Sequence, residues 1–176
     1  MKKSDIKKMP EYFEKYINQV DDIELDDAFQ KNINELETID IANLERLGNK
    51  TYAPGKWTIS DIFQHIIDTE RVLGYRTLRY ARRDGVVPQG YDEKLFAANA
   101  NAQHRTLENI LEELKQLHQS TRLMFRSFED ETLHATGINW TKEMSVLAMG
   151  FLIAGHLIHH LKIIQEKYLP LQFEMA

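Results

Sequence analysis

The placement of proline constrains the fold of this 176-residue chain more than any other feature of its sequence. The chain has four prolines, and none lies inside a segment with helical hydrophobic spacing: Pro10, Pro54, Pro88 and Pro170. Proline interrupts a helix but is compatible with a loop, so this placement predicts long helices separated by connections. The sequence shows no sustained alternation of apolar and polar residues, and we therefore predict an all-α fold.

Apolar residues recur every three or four positions in four segments, which we predict to be the helices of a four-helix bundle. A capping box at Thr58 and Asp61 marks the start of the second helix. Each helix has about 20–25 residues and a length of about 30–37 Å. The predicted helices cover about residues 23–47, 58–83, 106–128 and 142 or 143 to 168, with a short extra helix at about 92–98.

The chain contains no internal repeat, low-complexity tract or linker. We therefore predict a single domain over residues 1–176, with its core at about residues 23–169. The hydrophobic pattern leaves the topology open, because the loop with the Pro-Gly pair and the long middle connection could each turn tightly or cross over.

Charge and composition exclude several classes of partner. The formal net charge is −5, whereas a protein that tracks a nucleic-acid backbone needs a surplus of lysine and arginine, so we expect no nucleic-acid partner. The one dense basic cluster ends the second predicted helix, and we interpret it as favourable charge near a helix C-terminus: Arg76, Arg79, Arg82 and Arg83. The absence of cysteine excludes disulfides, thiolate metal sites and a cysteine nucleophile.

We also expect no membrane partner. The basic N-terminal residues are not followed by an apolar run, so they do not form a secretory signal. The longest apolar stretch, roughly residues 146–158, is shorter than the about 20 residues that span a bilayer, and two glycines and a histidine interrupt it. The protein is therefore expected in the cytoplasm.

Three histidines form a candidate metal site. His156 and His160 are four residues apart on the fourth predicted helix, so they differ by about 40° around its axis and share one face. His65 lies on an apolar face of the second helix, and metal sites in bundle cores take ligands from facing helices. Three neutral imidazoles with open water positions would suit zinc, nickel or another divalent ion. The alternative is that these are core or surface histidines that bind no metal, since the H-x-x-x-H spacing is common in helices without a metal site.

Neighbouring residues have weaker assignments. His159 is assigned to the polar flank of its helix, as a candidate for an outer contact with the site or with a second subunit. Asp68 lies about 60° from His65 and is a candidate to orient a metal-binding histidine from outside the ligand set. Asp68 and Glu70 are otherwise interpreted as solvated helix charges.

Other motifs predict less. Glu131 and His134 match half of a di-iron carboxylate motif, which needs two copies. His104, at a helix start, and His118, on the edge of the third helix, are interpreted as structural or exposed. Two tryptophans precede the second and fourth helices and are interpreted as caps of the core or as pocket lining: Trp57 and Trp140.

The assembled features resemble the DinB-like superfamily of metal-binding four-helix proteins. The resemblance covers about Leu25 to Leu169 and rests on APGKWTISDIFQHIIDTE at the second helix followed by MSVLAMGFLIAGHLIHHLKII near the C-terminus. It implies a metal triad at His65, His156 and His160, an up-down-down-up arrangement of the helices and frequent homodimers. Some members are S-transferases that use a low-molecular-weight thiol such as bacillithiol or glutathione.

The leading functional hypothesis is accordingly a metal-dependent transferase that activates a low-molecular-weight thiol toward an electrophilic small molecule. A hydrolase that uses the same metal site is the nearest enzymatic alternative. A non-catalytic dimeric module, for metal binding or a stress response, is the alternative from another class. No motif in the sequence identifies the thiol.

Overall fold

The computed structural model describes residues 1–175 of the chain. Within that range the α-helices are α1 (Glu14–Ile17), α2 (Leu25–Glu37), α3 (Ile41–Glu45), α4 (Ile59–Ala81), α5 (Glu93–Asn99), α6 (Leu107–Arg126), α7 (Asp130–Leu133) and α8 (Val146–Ile163). A hairpin is formed by β1 (Thr136–Asn139) and β2 (Lys142–Ser145). Short 3₁₀ turns cover Lys3–Asp5 and Ala102–His104, and α8 continues as a π-helical turn, Ile164–Tyr168, and a 3₁₀ segment, Leu169–Met175.

The long helices α2, α4, α6 and α8 form a four-helix bundle in which α4 and α2 each pack against both α6 and α8. Helices α2 and α6 are antiparallel, because Asp26, early in α2, binds Arg122, late in α6. Helices α4 and α6 are parallel, because Gln64 and Arg105 pair near the start of both. This confirms the predicted four-helix bundle.

The direction of α8 completes the topology. His65, in the first third of α4, meets His156, in the last half of α8, so these two helices are antiparallel. Helix α8 is therefore antiparallel to α4 and α6 and parallel to α2. The bundle is up-down-down-up, as the family resemblance implied.

The start of the second predicted helix is confirmed, because a capping side chain marks it. Thr58 Oγ1 accepts a hydrogen bond from the Asp61 backbone N–H and the Asp61 carboxylate accepts one from the Thr58 backbone N–H, which is the predicted capping box. The prediction for the last long helix was wrong at its start. Residues 142–145 form β2 instead, and α8 begins at Val146 because Ser145 accepts from the Ala148 N–H as its N-cap.

The hairpin was not predicted because its strands have four residues each, too few to show alternation. Its β1 strand packs flat on α4: a Cβ on Gly137 would lie 2.0 Å from the ring of Tyr80, whose hydroxyl donates to the Ile138 carbonyl at 2.6 Å. Glycine allows this approach because it has no side chain.

The first and last predicted helices also differ from the structure. The first divides into α2 and α3, because Thr38 binds the Glu35 carbonyl and Asp40 caps α3 by accepting from the Asn43 N–H. The last was expected to end before Pro170, yet helical turns continue through it. Proline fits there because the first turn of a helical segment does not need its N–H.

Burial explains the apolar character of α8 and its extension. The helical segment Val146–Gln172 is long and apolar enough to cross a membrane by length and composition. It is longer than the apolar stretch of residues 146–158 noted in the sequence. However, 72% of its most apolar window is buried inside the bundle. Ile17 and Val20 of the N-terminal segment are also buried in the core. The core therefore begins before residue 23, its predicted start. The cytoplasmic location stays a prediction.

Gly155 controls how closely α1 approaches α8. A Cβ at this position would lie 2.0 Å from the backbone carbonyl oxygen of Tyr16, and a backbone atom cannot rotate away as a side chain can. We predict that Gly155→Ala lowers the free energy of unfolding by about 1–3 kcal/mol despite the higher helix propensity of alanine. Urea-induced unfolding followed by circular dichroism measures this change.

Gly74 provides the matched control, because it lies within α4 and a Cβ there meets no atom within 4 Å. Gly74→Ala should raise the free energy of unfolding by about 0.5–1 kcal/mol. If Gly155→Ala were as stable as Gly74→Ala, the close contact between α1 and α8 would be contradicted.

Candidate metal centre

The structure brings His65, His156 and His160 together between α4 and α8. The Nε2 atom of His156 lies 3.2 Å from Nε2 of His65 and 3.1 Å from Nε2 of His160. One ring nitrogen of each residue lies within 4.8 Å of the other two, and all three side chains are buried. These are the three residues that the sequence predicted as ligands.

The arrangement of ring nitrogens fits a shared cation better than hydrogen bonding. A ring nitrogen carries one N–H or one lone pair, so Nε2 of His156 can make at most one well-directed hydrogen bond with its two neighbours. Nitrogens bound at about 2.0–2.1 Å to a tetrahedral zinc ion would be separated by about 3.3 Å. The separations of 3.1 and 3.2 Å that involve His156 lie close to that value, and the ligand nitrogens of His65 and His160 lie within 4.8 Å of each other.

Burial keeps the three imidazoles neutral. It lowers the pKa of His65 to about 4 and that of His160 to about 3, because a charged ring would lose its hydration. Burial also holds the pKa of His156 well below its ordinary value, and the adjacent His160 and His65 lower it further. At neutral pH each ring therefore keeps a nitrogen lone pair available, which zinc and nickel ligation requires.

His65 is oriented by Thr69 and Trp57. Thr69 Oγ1 lies 3.4 Å from Nδ1 of His65 and 2.9 Å from the hydroxyl of Tyr91, and the Trp57 ring packs on the imidazole with 4.6 Å between centroids. With Nδ1 held on this side, Nε2 of His65 faces the other two histidines. Thr69 thus provides the outer contact that commonly fixes a metal-binding imidazole.

Asp68 accepts a hydrogen bond from Gln64 at 3.0 Å. Its candidate role in orienting a metal-binding histidine stays a prediction. Position i+4, occupied by Thr69, differs from His65 by about 40° around the helix, whereas i+3 lies about 60° to the other side. His159 lies where it was expected, on the flank, half-buried with its ring centroid 5.1 Å from those of Tyr16 and His160.

The three histidines form part of the wall of a cavity of about 640 Å³ that runs along α4. The same face of α4 contributes Thr69, Leu73 and Arg76 to this wall. Trp57 and Trp140 line the cavity as well, which confirms the pocket-lining interpretation for both, and Trp57 also packs against the apolar core as the capping interpretation predicted. A second cavity of about 520 Å³ shares Trp57, Lys94 and His160 with the first.

The interpretation of Arg76 as a helix-terminal charge was wrong. Its side chain is 5% exposed and lines the larger cavity, where it donates to Asn139 Oδ1 at 2.5 Å and to the Gln89 carbonyl at 2.8 Å. The signal was present in the sequence, because eleven residues after His65 is three helical turns and returns to the same face. Arg82 and Arg83, by contrast, are exposed.

A buried polar pair was missed by the sequence analysis. His118 is fully buried rather than at an edge, and its Nδ1 lies 2.9 Å from Oε2 of Glu70, which is 3% exposed rather than solvated. Glu131 remains exposed and binds Arg83, and His104 is exposed. Sequence periodicity could not pair Glu70 with His118, because they are 48 residues apart and each looks like an ordinary polar helix residue.

Both the sequence and the fold of this chain are similar to those of known proteins. A family model described as the DinB superfamily matches residues 6–164. Among solved structures, the chain is similar to YfiT from Bacillus subtilis, described as a probable metal-dependent hydrolase with an unusual four-helix bundle topology. The TM-score is 0.67 at 19% sequence identity, and the match covers 93% of this chain and 89% of that one. A comparison with curated proteins gives no match.

Replacement of one central histidine should abolish metal binding. We predict that protein purified without a histidine tag holds about one divalent ion per chain and that His156→Ala holds almost none. The reason is that Nε2 of His156 lies next to the ring nitrogens of both His65 and His160. Elemental analysis by mass spectrometry measures the ratio of metal to protein. His104→Ala is the control, because this histidine is exposed; equal and low metal in all three proteins would contradict the site.

The buried imidazoles should also make the metal-free protein sensitive to mild acid. Their folded-state pKa values lie below the value of about 6.5 in an unfolded chain, so the unfolded state takes up protons first as the pH falls. The stability that they contribute is present above pH 6.5 and is lost as the pH falls toward about 4, by up to about 1.4 kcal/mol per pH unit for each ring.

Urea unfolding of the chelator-treated protein between about pH 6.5 and 5 measures this dependence, in a range where most carboxylates stay ionised. His65→Gln should reduce the slope of stability against pH. A wild-type slope equal to that of His65→Gln would show that the ring of His65 is not held neutral.

Proposed function

The chain belongs to the DinB superfamily, and on that premise we propose that it is a metal-dependent transferase that activates a low-molecular-weight thiol on a divalent ion, zinc or nickel, and directs it at an electrophilic small molecule. One observation carries this proposal. Three neutral imidazole nitrogens converge in the wall of a cavity of about 640 Å³, where a bound ion would be accessible to a reactant.

The second cavity supports a reaction with two reactants. It has a volume of about 520 Å³ and meets the first at Trp57, Lys94 and His160, so one residue of the triad contributes to both walls. A transferase must hold a donor and an acceptor next to each other, and bringing two reactants together supplies much of the rate enhancement of such enzymes. Hydrolysis needs room for one organic reactant.

The ligand set defines which chemistry is available. A divalent ion held by His65, His156 and His160 would keep its full positive charge, lower the pKa of a bound thiol or water and polarise a carbonyl group. Thr69 and Tyr91 keep His65 in the orientation that directs Nε2 at the site. Burial raises the pKa of Tyr91 to about 12, so its hydroxyl is a neutral hydrogen-bond donor beside the cavity at physiological pH.

A hydrolase with the same ligand set is the second candidate. The description of YfiT as a probable metal-dependent hydrolase favours it, since that protein shares the fold over most of both chains. A non-catalytic metal-binding or stress-response module is less favoured, because such a role does not require a cavity beside the three histidines.

We further propose that the protein acts as a homodimer. Several large apolar side chains are exposed on and near the C-terminal half of α4, where association would bury them. They are Tyr75, Leu78, Val86 and Val87.

Turnover assays separate the two enzymatic candidates. We predict that the zinc- or nickel-loaded protein consumes a chromogenic electrophile such as 1-chloro-2,4-dinitrobenzene only when bacillithiol, glutathione or another small thiol is present. Chelation of the metal, or His156→Ala, should remove the activity above the uncatalysed rate, because the thiol is no longer activated. His104→Ala should retain it.

The electrophile should be supplied alongside ester and amide substrates in the same assay. Metal-dependent turnover of an ester or amide in the absence of any thiol would replace the transferase proposal with the hydrolase. Full metal loading without turnover of any substrate in the panel would favour the non-catalytic module.

A further inference from the structure

We infer that Arg76 binds a carboxylate group of the small molecule whose other end lies at the three histidines. This inference rests on the proposed function, because it concerns the substrate of the same cavity. It assigns the chemical class of that substrate: a molecule with a metal-binding group at one end and a carboxylate at the other.

The first observation is that Arg76 is a buried charge without a counter-charge. Its side chain is 5% exposed, and among the side chains that the structure describes, those of residues 1–172, no carboxylate lies within ion-pair distance of it. Both of its hydrogen-bond acceptors, the Asn139 amide and the Gln89 carbonyl, are neutral. Burial of an unpaired cation is costly, and an anionic ligand would remove most of that cost.

The second observation is that the guanidinium group is held rigidly and still has free donors. The bonds to Asn139 and Gln89 use two of its five N–H groups, and its central carbon lies 5.8 Å from the Tyr91 ring centroid. Three N–H groups remain for a ligand, enough for the bidentate contact that arginine makes with a carboxylate. Because the side chain is fixed before the ligand arrives, little conformational entropy is lost on binding.

The third observation is the position of Arg76 relative to the histidines. It lines the same cavity from the same helix as His65, eleven residues later, which corresponds to about 16 Å along the helix axis. Helical side chains lean toward the N-terminus of their helix, and the arginine side chain is long. The distance from the Arg76 guanidinium group to the three histidine rings is therefore on the order of 10 Å. Thr69 and Leu73 line the intervening wall, one polar and one apolar.

The other charged residues of the cavity are less suited to this role. Asp92, Glu93 and Lys94 also line it, but all three are exposed, so water screens their charges. Lys94 is the alternative cation, and its position in the walls of both cavities makes it a necessary comparison. Arg76 is favoured because a buried charge is screened far less.

Calorimetric titration with four probes tests the inference, the two thiols on zinc-loaded protein and the thiol-free pair on chelator-treated protein, where no ion can bind the carboxylate. The probes are 8-mercaptooctanoate, its alcohol analogue 8-mercapto-1-octanol, and the same pair without the thiol, octanoate and 1-octanol. We expect wild type to bind each carboxylate about 10- to 100-fold more tightly than the matching alcohol, as expected for a charge-assisted hydrogen bond out of water. Arg76→Gln should bind both members of each pair equally.

Three further variants make the test specific. Arg82→Gln, which removes an exposed arginine of the same helix end, should keep the wild-type preference for carboxylate. Arg76→Lys should keep part of it, because the charge remains but the two-pronged contact is lost. Zinc content and circular dichroism verify that each variant is folded. Loss of the preference in Lys94→Gln together with its retention in Arg76→Gln would overturn the inference.

Probe length gives an independent readout. 3-Mercaptopropionate is too short to reach from the histidines to Arg76, so its affinity should not respond to Arg76→Gln. An equal loss of affinity for the short and the long thiol acid in this variant would overturn the inference. The thiol-free pair distinguishes this failure from failure of the proposed function. On metal-free protein octanoate and 1-octanol test Arg76 alone, because no ion is present to bind the carboxylate, whereas the gain from adding a thiol on zinc-loaded protein tests the metal.

Discussion

A buried polar network at the centre of the bundle fixes the relative positions of all four long helices. Asn32 of α2 donates to the Ala154 carbonyl of α8 at 3.0 Å and lies 3.3 Å from Nε2 of His118 in α6. The other nitrogen of His118 contacts Glu70 of α4 at 2.9 Å. Apolar packing tolerates small axial shifts, but a buried donor or acceptor that loses its partner costs about 1–3 kcal/mol. Each helix is therefore held at one register.

That register determines where the three histidines meet. Glu70 lies five residues after His65 on α4, and Ala154 lies two residues before His156 on α8. The network thus fixes two antiparallel helices close to the points from which the imidazoles project. A shift of one helical turn in either helix, about 5.4 Å, would separate nitrogens that now lie 3.1–3.2 Å apart. One network at the centre of the bundle therefore positions the three histidines beside it.

The sequence predicted the helices and the shared face of His156 and His160 because both depend on local periodicity, whereas His65 was added from the apolar face of another helix and from the family resemblance. His156 and His160 share a helical face whatever packs against them, and Thr58 with Asp61 marks a helix start by itself. The buried pair of Glu70 and His118 depends on a contact between residues 48 positions apart, which a single sequence does not record. The same limit applies to Arg76: its face was visible from the spacing, but its burial depends on the loop at Gln89 and the hairpin at Asn139.

The elements that periodicity missed are those that complete the cavity. Tyr12 precedes α1 and Trp140 lies in the turn between β1 and β2; their rings meet with 5.5 Å between centroids, and both line the cavity. Both residues have left-handed backbone angles, φ 71° for Tyr12 and 58° for Trp140, a conformation that costs aromatic residues roughly 1–2 kcal/mol. Such a cost persists only where surrounding contacts determine the conformation. The hairpin that holds Trp140 in place also supplies Asn139 to Arg76. The regular bundle therefore brings the three histidines together, whereas the irregular segments complete the wall of the cavity beside them.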